Sequence, residues 1–536
     1  MTSLEQITRA AELRADHQTR RADGSYFTDA DVAQHLARRA IGAYLLEAIG
    51  VSPTQISEGL ADGFDAIKAL EAHIDTHEQR ARLTSTLSSL EVLDPTCGAG
   101  SFLIAAWCAM LEVEQACGLG AVVHGDQIRG VDCDAQAASA CRMSLAATIA
   151  PERGVADIRV ADAQEAGALP AADILLGNPP YVRASTDAAG EDLGTRSVPN
   201  RSAWIVERAL HAARPGARAA FVLPVSTACT DAFAPARHAW SRACDEIHTS
   251  HFDTIPSTLF TGVVQRLSIF EGRLRDARVV NGEVGGEGAS TRPATWWTSQ
   301  YHRWRRDERA GLLERVRHMP MPPQQVGGSI PKIGTRIEAG LLARIFSNPG
   351  AGRLLVPRSG APDGANRIWY KRRWSYFLLF TDFMPGMWDA QGEPRPPTEF
   401  KALDVVPELD AQALLSIFSS TLFWWYFSVF TDNRNINRRD IEAFPVPDLD
   451  PRIQAQLVEL GHELMVELRA CSEVRECTYR SIGTIRNTYF RQGATRPVLD
   501  RIDAVLAEAY GMDAAELEFV LGFERRFRGG VSPDGR

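Results

Sequence analysis

The chain reads Val-Leu-Asp-Pro-Thr-Cys-Gly-Ala-Gly-Ser-Phe-Leu at residues 92–103, and this stretch decides the fold. Two apolar residues and an acid are followed by a glycine-rich turn and a helix start. Small residues let the backbone approach a ligand closely, and the helix start offers free N–H groups. The stretch therefore predicts a strand, a ligand-binding turn and a helix. Its candidate ligand contacts are Asp94, Thr96, Gly98, Gly100 and Phe102.

Two further acids follow the next predicted strands. Asp132 ends the apolar run 128–131 and is placed to accept hydrogen bonds from both hydroxyls of a ribose. Asp162 follows the run 158–160 and is placed to accept from an adenine amine. An acid at position 94 would attract an ammonium group and repel a pyrophosphate. It therefore favours a nucleoside with an ammonium tail, as in S-adenosyl-L-methionine, over a dinucleotide. Either later acid alone is also typical of a helix cap, so the argument rests on their order along the chain.

Short apolar runs alternate with helical stretches on both sides of the glycine turn. The runs are 92–93, 128–131, 158–160, 174–176, 219–223 and 267–270. Such alternation is typical of a doubly wound α/β sheet of parallel strands. Before it, apolar residues recur at near-helical spacing and predict helices; among them are Leu36, Ile41, Leu45 and Ile49.

Composition changes along the chain predict four regions. Residues 1–90 form an N-terminal helical segment, and residues 91–280 form the α/β domain. Residues 295–450 mix tryptophans, arginines and proline-rich turns without a single period, which predicts a mixed α+β domain. Residues 451–536 are predicted to be helical again.

The most specific signal is Asp-Ile-Leu-Leu-Gly-Asn-Pro-Pro-Tyr at residues 173–181, an apolar strand that runs directly into Asn178-Pro179-Pro180-Tyr181. An exocyclic amine is a poor nucleophile because its lone pair is delocalised into the ring. An enzyme must therefore favour the pyramidal form that develops in the transition state. The side-chain oxygen of Asn178 and the carbonyl of Pro179 can each accept one N–H and direct the lone pair at a methyl donor.

The other two residues of this tetrapeptide support that geometry. The proline pair holds the carbonyl rigidly, and Tyr181 offers a ring for stacking on the target base. A Pro-Pro pair can also be only a rigid turn. Here the tetrapeptide stands at a strand end, in order after the three cofactor signals, which favours the catalytic interpretation.

At this point the sequence resembles the gamma class of amino-methyltransferases, the DNA adenine-N6 enzymes of restriction–modification and phage-defence systems. The resemblance covers nearly the whole chain. It implies a Rossmann-like doubly wound methyltransferase sheet, an N-terminal helical segment and a C-terminal mixed α+β target-recognition domain. It also implies methyl transfer from S-adenosyl-L-methionine to N6 of an adenine flipped out of double-stranded DNA.

The resemblance assigns further site residues. Members of the class begin with a cofactor segment that contains an aromatic residue and a threonine, which implies Tyr26 and Thr28 as cofactor contacts. Asp29 stands where the class has a proline. Phe260 resembles the aromatic residue that packs on the second face of the flipped base, although a phenylalanine between apolar strands is more often a core residue.

Arginine and aromatic residues cluster in the predicted recognition domain at 303–306, 369–374 and 433–439. Such groups neutralise phosphates and read base edges, although each alone is also typical of a solvated face. The candidate DNA contacts are Arg372, Arg373, Arg434, Asn435, Asn437 and Arg438. The aromatic run 422–430 is expected to be core and not a stacking platform for bases.

Charge and composition limit the class of protein. The net charge is −9, but residues 1–270 carry 22 Lys and Arg against 33 Asp and Glu, whereas residues 271–536 carry 36 against 34. The C-terminal half is therefore the better polyanion binder. No apolar run approaches the roughly 20 residues of a membrane helix, so we expect a cytoplasmic enzyme. No cysteine follows a proline, which argues against cytosine-C5 chemistry.

Other functions share part of this pattern. A release-factor glutamine methyltransferase carries a similar tetrapeptide but lacks a large C-terminal recognition region. Methylation of rRNA guanine-N2 or of cytosine-N4 uses the same chemistry. A non-catalytic DNA-recognition subunit of a defence complex is the alternative from another class. We expect methylation without DNA cleavage, no metal requirement for the displacement, and other subunits of a defence system as potential partners.

Overall fold

The computed structural model describes residues 28–261, 263–276, 279–280, 283–284, 293–357, 366–373, 377–479 and 483–528. The chain divides into two compact units. The first comprises residues 1–321 and 327–334, and the second comprises residues 322–326 and 335–536.

From residue 28 onward, four helices precede the sheet of the first unit. They are α1 (Ala30–Ala48), α2 (Pro53–Ala61), α3 (Ala66–His73) and α4 (His77–Ser89). Ser52 and Thr76 cap α2 and α4 through reciprocal hydrogen bonds with a glutamine three residues later. The apolar residues that predict these helices are buried, and Leu36, Ile41 and Leu45 are each fully covered.

Parallel strands form the half of the sheet that carries the quoted motifs. These are β1 (Val92–Asp94), β2 (Ile128–Asp132), β3 (Asp157–Val160), β4 (Ala172–Gly177) and β5 (Ala213–Pro224), in the spatial order β3-β2-β1-β4-β5. All four pairings among them are parallel. Successive residues of β4 alternate between two buried clusters, because side chains along a strand point to opposite faces. Both faces are thus covered, which confirms the predicted α/β class.

Helices cover both faces of this sheet. They are α5 (Ser101–Ala116), α6 (Ala135–Ala146), α7 (Arg201–Ala212), α8 (Ser226–Cys229) and α9 (Ala234–Ala243). Helix α5 contributes Leu103 and Trp107 to one apolar cluster, and α7 contributes Val206 to the other. The doubly wound arrangement follows from this placement.

The sheet continues beyond the predicted limit at residue 280. Strand β7 (Leu267–Leu274) runs antiparallel between β5 and β6 (Cys244–Phe252), and β10 (Thr295–His302) and β11 (His318–Pro320) extend the same sheet. The short pair β8 (Val279–Val280) and β9 (Glu283–Val284) stands apart. Residues 295–320 therefore belong to the sheet of the first unit, although the sequence assigned them to the second domain.

Strand β6 was missed because four consecutive buried residues near its end are polar. Its sequence includes His248, Thr249, Ser250 and His251, all 4% exposed or less. These side chains bond to neighbouring strands: Ser250 Oγ lies 2.9 Å from His318 Nε2, and His251 Nδ1 lies 2.8 Å from Ser268 Oγ. Buried polar groups that are paired in this way leave no apolar run for a sequence pattern to detect.

The second unit combines helices with small sheets, as its mixed pattern predicts. Helix α10 (Arg336–Ile345) comes first, and antiparallel strands form two three-stranded sheets. One contains β12 (Arg367–Lys371), β13 (Phe380–Thr381) and β15 (Phe400–Asp404). The other contains β14 (Met387–Asp389), β16 (Ser472–Tyr479) and β17 (Gly483–Phe490).

The remaining helices are α11 (Ala411–Ser419), α12 (Thr421–Phe430), α13 (Arg438–Glu442), α14 (Pro451–Ala470), α15 (Arg496–Tyr510), α16 (Ala514–Gly522) and α17 (Arg525–Arg528). The stretch after residue 451 is thus helical at both ends, but it is interrupted by the hairpin β16–β17. This hairpin pairs with β14, which lies well before residue 451. The prediction of a helical C-terminal region is therefore wrong for strands β16 and β17, whose third partner strand lies outside that region.

The aromatic run at 422–430 forms the core helix α12, as expected. Every residue of α12 is buried. Within the described ranges no single helix is long and apolar enough to cross a membrane, and only the bent pair α11 and α12 meets those criteria jointly.

At the start of α12, the buried Asp503 carboxylate accepts hydrogen bonds from the backbone N–H groups of Thr421 and Leu422 at 2.9 and 3.1 Å.

We expect Asp503→Ala to destabilise the second unit by about 1–3 kcal/mol, because two buried N–H groups at the start of α12 lose their acceptor. Denaturant unfolding followed by intrinsic tryptophan fluorescence, to which the buried Trp424 and Trp425 of this helix contribute, measures the change. Glu508→Ala, which removes one partner of an exposed ion pair with Arg452, is the matched control and should leave the midpoint nearly unchanged. Equal midpoints for both variants would show that Asp503 does not anchor this helix.

Candidate active site

The polar ends of the parallel strands meet at one edge of the sheet. Asp94 ends β1, Asp132 ends β2, and Asn178 directly follows β4. Asp162 comes two residues after β3. Because the four strands are neighbours and parallel, their carboxyl ends share one edge, which is where ligands bind in open α/β sheets. The structure therefore brings together the four polar residues that the sequence singled out.

The glycine turn after β1 is tied to the end of β2. The backbone N–H of Thr96 donates to Asp94 Oδ1 at 2.9 Å, and the N–H of Gly98 donates to Asp132 Oδ2 at 2.9 Å. Gly98 and Gly100 have φ angles of +52° and +94°, which favour glycine. A Cβ on Gly100 would also lie 2.9 Å from Cys141 Sγ, whereas a Cβ on Gly98 would meet nothing within 4 Å. The backbone at Gly98 thus borders open space.

The two acids beside this turn are held in a poorly solvated environment. Asp94 is 2% exposed, and burial raises the pKa of its carboxyl to about 8, with a further contribution from the nearby charge of Asp132. Burial also raises the pKa of Asp132 above its ordinary value. Raised carboxyl pKa values at the edge of a sheet are typical of a site that binds a positively charged or hydrogen-donating group.

The residues present fit S-adenosyl-L-methionine. The hydroxyl oxygen of Thr96 is buried and has no hydrogen-bond partner among the described residues. The turn next to it leaves space at Gly98. Asp94 and Asp132 supply the acceptors that an ammonium and a ribose diol need. An orphaned hydroxyl, an open glycine and two acids around one turn together match the polar groups of this nucleoside.

Asp162 has a weaker connection to the site. Its Oδ1 accepts hydrogen bonds from the backbone and side-chain nitrogens of Gln164, both at 3.0 Å. These local bonds make Asp162 a loop-forming residue at the end of β3. Its contact with an adenine amine stays a prediction.

The tetrapeptide after β4 presents a defined network around Asn178. The Asn178 Nδ2 donates to Thr28 Oγ1 at 3.2 Å. The Tyr181 hydroxyl contacts Asn178 Oδ1 and lies 3.2 Å from the carbonyl oxygen of Val222. Within the described part of the chain, no hydrogen bond reaches the carbonyl of Pro179. The amide and this carbonyl are thus two adjacent acceptors at the strand end.

Two contacts in this network were not predicted from the sequence. Thr28 was expected to contact the cofactor, but in the structure its hydroxyl contacts the Asn178 side chain. Val222 was assigned only to a core strand, and its carbonyl now borders the Tyr181 hydroxyl. No sequence signal distinguishes a strand carbonyl that faces a site from any other. Tyr26 lies outside the described residues.

Two aromatic residues assigned to the site lie in the core. Phe102 is 2% exposed and Phe260 is fully buried, both in the apolar cluster on the α1 side of the sheet. A base needs an open ring face for stacking. The structure therefore does not support Phe260 as the residue on the second face of a flipped base, because apolar neighbours cover it. Phe102 is the second residue of α5, next to the glycine turn, and its contact with the cofactor stays a prediction.

In the second unit, two of the predicted DNA-binding clusters come together. Arg373 forms an antiparallel bridge with Asn435, and the backbone N–H of Ile436 donates to the carbonyl of Arg372 at 2.9 Å. Arg372, Arg373 and Arg434 are exposed on this pair of segments. Residues about sixty positions apart in sequence thus form one surface, which we call the arginine surface.

Other members of these clusters have internal partners. The guanidinium of Arg438 bonds to Glu442 Oε1 at 2.5 Å and to the Val356 carbonyl at 2.7 Å, so it braces α13. The Asn437 amide donates to Asp440 Oδ2 at 3.2 Å. Arg303 belongs to the first unit, where its Nε donates to the buried Asp253 at 2.6 Å. These two bonds involve only part of the Arg438 guanidinium, and its contact with DNA stays a prediction.

Comparisons with known proteins agree with this site. Residues 70–173 match the family described as MmeI, DNA-methyltransferase domain. The match includes Asp94, the glycine turn, Asp132 and Asp162, and it ends just before Asn178. This part of the chain is therefore similar to the DNA-methyltransferase domain of a restriction–modification enzyme. A search of curated proteins finds no match to the sequence.

The fold is similar to that of a solved structure. The type IIL restriction–modification enzyme MmeI, solved in complex with DNA, is 12% identical with a TM-score of 0.52, covering 97% of this chain and 81% of its own. The ATP-dependent type ISP enzyme LlaBIII bound to DNA is 8% identical with a TM-score of 0.44, and the chain spans 46% of its length. The type IIG restriction endonuclease BpuSI is 12% identical with a TM-score of 0.39, covering 98% of this chain and 68% of its own.

We expect Asp94→Asn to change how stability depends on pH. The folded carboxyl holds its proton up to about pH 8, whereas the unfolded one releases it near its ordinary value of 3.8. The folded state therefore binds more protons in this window, and the stability of the wild type falls as pH rises through it. The variant keeps an acceptor for Thr96 but cannot ionise. Its melting temperature should match the wild type near pH 4 and exceed it by a few degrees at pH 8.

Asp75→Asn provides the control, because Asp75 is exposed in the loop before α4. Its melting temperature should follow that of the wild type across the same pH range. A parallel fall for wild type and Asp94→Asn between pH 4 and 8 would show that Asp94 ionises normally in the folded protein.

Proposed function

We propose that this protein is a site-specific DNA methyltransferase that transfers a methyl group from S-adenosyl-L-methionine to N6 of an adenine flipped out of double-stranded DNA. The observation that carries the proposal is the position of Asn178 and the Pro179 carbonyl at the end of β4. They lie at the same sheet edge as the Asp94 and Asp132 carboxyls. We further propose that the methylation marks self DNA in restriction–modification or phage defence.

The chain's own residues account for recognition of the target amine. Asn178 Oδ1 and the Pro179 carbonyl are acceptors, and an aromatic amine offers two N–H donors. Hydrogen bonds to both acceptors draw the nitrogen toward a pyramidal geometry and free its lone pair from the ring. The proline pair fixes the carbonyl, since the pyrrolidine ring restricts the backbone. Positioning of the amine is thus built into one rigid strand end.

The glycine turn and its acids would hold the cofactor. Asp94 would bind the ammonium of the cofactor, and Asp132 would bind its ribose hydroxyls. The Thr96 hydroxyl and the Gly98 backbone would contact its remaining polar groups. When bound, S-adenosyl-L-methionine supplies an electrophilic methyl group on a sulfonium. The Tyr181 ring stands beside Asn178, where it can stack on the incoming base.

The arginine surface supports DNA as the substrate. Arg372, Arg373 and Arg434 are exposed, and Arg373 lies 3.9 Å from its nearest carboxylate oxygen, on Glu399. Guanidinium groups that are exposed and only weakly paired are suited to phosphate and guanine contacts. The MmeI structure named above was solved with DNA, which agrees with this assignment. A second unit of this size also distinguishes the chain from a glutamine methyltransferase.

Asn178→Ala tests the catalytic assignment. We expect the rate of methyl transfer to fall by roughly 100- to 1,000-fold, because one of two transition-state acceptors is lost. Cofactor affinity by calorimetry should stay near the wild-type value. Labelled S-adenosyl-L-methionine and plasmid DNA measure transfer, and mass spectrometry of the digested DNA identifies the base.

The matched control is Asn348→Ala, since this asparagine donates only to local groups at the end of α10, such as the carbonyls of Arg344 and Ile345. It should retain the wild-type rate. N6-methyladenine in the product supports the proposal, whereas N4-methylcytosine or labelled protein in place of DNA would refute its substrate. A near-normal rate for Asn178→Ala would refute the mechanism.

The arginine surface is tested by the double variant Arg372→Ala/Arg373→Ala. We expect weaker binding to all duplexes. The plot of log K against log salt has a negative slope, and its magnitude should fall by about 1 for each lost phosphate contact. Arg395→Ala is the control, because Arg395 is 60% exposed but already bonded to Asp389 at 3.0 Å. An unchanged salt slope in the double variant would place the DNA elsewhere on the protein.

A further inference from the structure

The catalytic role proposed for Asn178 depends on which way its amide faces. The oxygen and nitrogen ends of this side chain are similar in size but opposite in hydrogen bonding. With the oxygen toward the target amine, the amide accepts an N–H. With the amide nitrogen toward the target amine, N–H donors of the amide face N–H donors of the amine, and the lone pair of the amine is not activated. The active site therefore needs a group that holds the nitrogen end away from the substrate.

The structure contains such a group on the N-terminal segment. Asn178 Nδ2 donates to Thr28 Oγ1 at 3.2 Å, and the Thr28 residue is only 5% exposed. A hydroxyl oxygen can accept this bond. At the other end of the amide, the Tyr181 hydroxyl contacts Oδ1. The nitrogen end therefore meets an acceptor while the oxygen end meets a donor, as the catalytic orientation requires.

The position of Thr28 is fixed independently of any ligand. The next residue, Asp29, accepts hydrogen bonds from the backbone and hydroxyl of Thr261 at 3.4 and 3.2 Å. Two residues further on, Asp31 forms an ion pair of 2.6 Å with Arg309. The first turns of α1 are then buried through Val32 and Leu36. These anchors hold the hydroxyl at the start of α1 against the end of β4.

We propose that Thr28 is a positioning residue that fixes the amide of Asn178 with its oxygen toward the target amine. The inference rests on the proposed function, since it concerns methylation of an amine at Asn178. It differs from the role that resemblance implies for Thr28, which is contact with the cofactor. The two roles make opposite predictions about binding and turnover.

Thr28→Val tests the inference, because valine keeps the shape of threonine but offers no acceptor. We expect kcat at saturating cofactor and DNA to fall by about 10- to 100-fold. The dissociation constant for S-adenosyl-L-methionine, measured by calorimetry, should stay unchanged. Thr28→Ser, which restores the hydroxyl, should recover most of kcat, and Thr28→Ala should match Thr28→Val. A cofactor contact would instead weaken cofactor binding and leave kcat at saturation intact.

Thr261→Val is the matched control for simple loosening of the segment. It removes one of the anchors, the hydroxyl bond to Asp29, but keeps the Thr28 hydroxyl, the bond from the Thr261 backbone N–H to Asp29 and the Asp31–Arg309 ion pair, which still hold the segment. We expect its kcat to be close to that of the wild type. If Thr261→Val reproduces the loss, or if Thr28→Ser is as slow as Thr28→Val, the positioning role is refuted.

The outcomes also separate this inference from the proposed function. A wild-type protein that methylates DNA, together with a Thr28→Val variant of normal kcat, would overturn only the role of Thr28. A wild-type protein that binds the cofactor but methylates no DNA would overturn the proposed function, and the inference with it. Thermal melting of each variant confirms that the folded protein is being compared.

Discussion

Strand β4 approaches the end of β1 so closely that residue 177 has little room for a side chain. A Cβ on Gly177 would lie 3.1 Å from Asp94 Oδ1 and 3.1 Å from the ring of Phe221. Parallel pairing of Val92 with both Ile128 and Ile174 sets this register. Because the next residue is Asn178, the same close approach places the amide beside the acid of the glycine turn. The geometry of the whole site depends on this contact between two strand ends.

The electrostatics of the site contrast with those of the rest of the first unit. Two deeply buried arginines elsewhere in the unit are paired with carboxylates: Arg39 bonds to Glu271 at 2.8 Å, and Arg218 bonds to Glu47 at 2.9 Å. Asp94 is buried as deeply, but its carboxyl accepts only a backbone N–H among the described contacts. An unpaired buried acid is costly, and such a cost is retained where a ligand offsets it. Burial therefore keeps this carboxyl protonated up to about pH 8, and a cationic ligand bound beside it would favour its charged form.

Much of the sheet and the site edge could be predicted from the sequence. The six apolar runs of the sequence correspond to strands of the sheet. The three acids and Asn178 lie at the carboxyl ends of neighbouring parallel strands, because parallel strands place those ends at one edge of the sheet. Strand β6 escaped prediction because His248 and His251 are polar yet paired inside the sheet. The burial of Phe260 and the contact between Thr28 and Asn178 depend on packing between distant segments. The meeting of Arg373 with Asn435 is equally non-local, and short-range patterns do not report such contacts.

The order of strands in the large sheet has a consequence for synthesis of the chain. Strand β6 pairs with β7 on one side and with β10 on the other. Because β10 begins about fifty residues after β6 begins, the ribosome makes β6 well before the strand that covers its second edge. At about 5–20 residues per second on the ribosome, that edge stays open for several seconds. Unpaired edges recruit other strands and cause aggregation. A nascent or shortened polypeptide that stops near residue 280 would expose this edge, so the α/β region needs residues 295–302 for solubility as much as for shape.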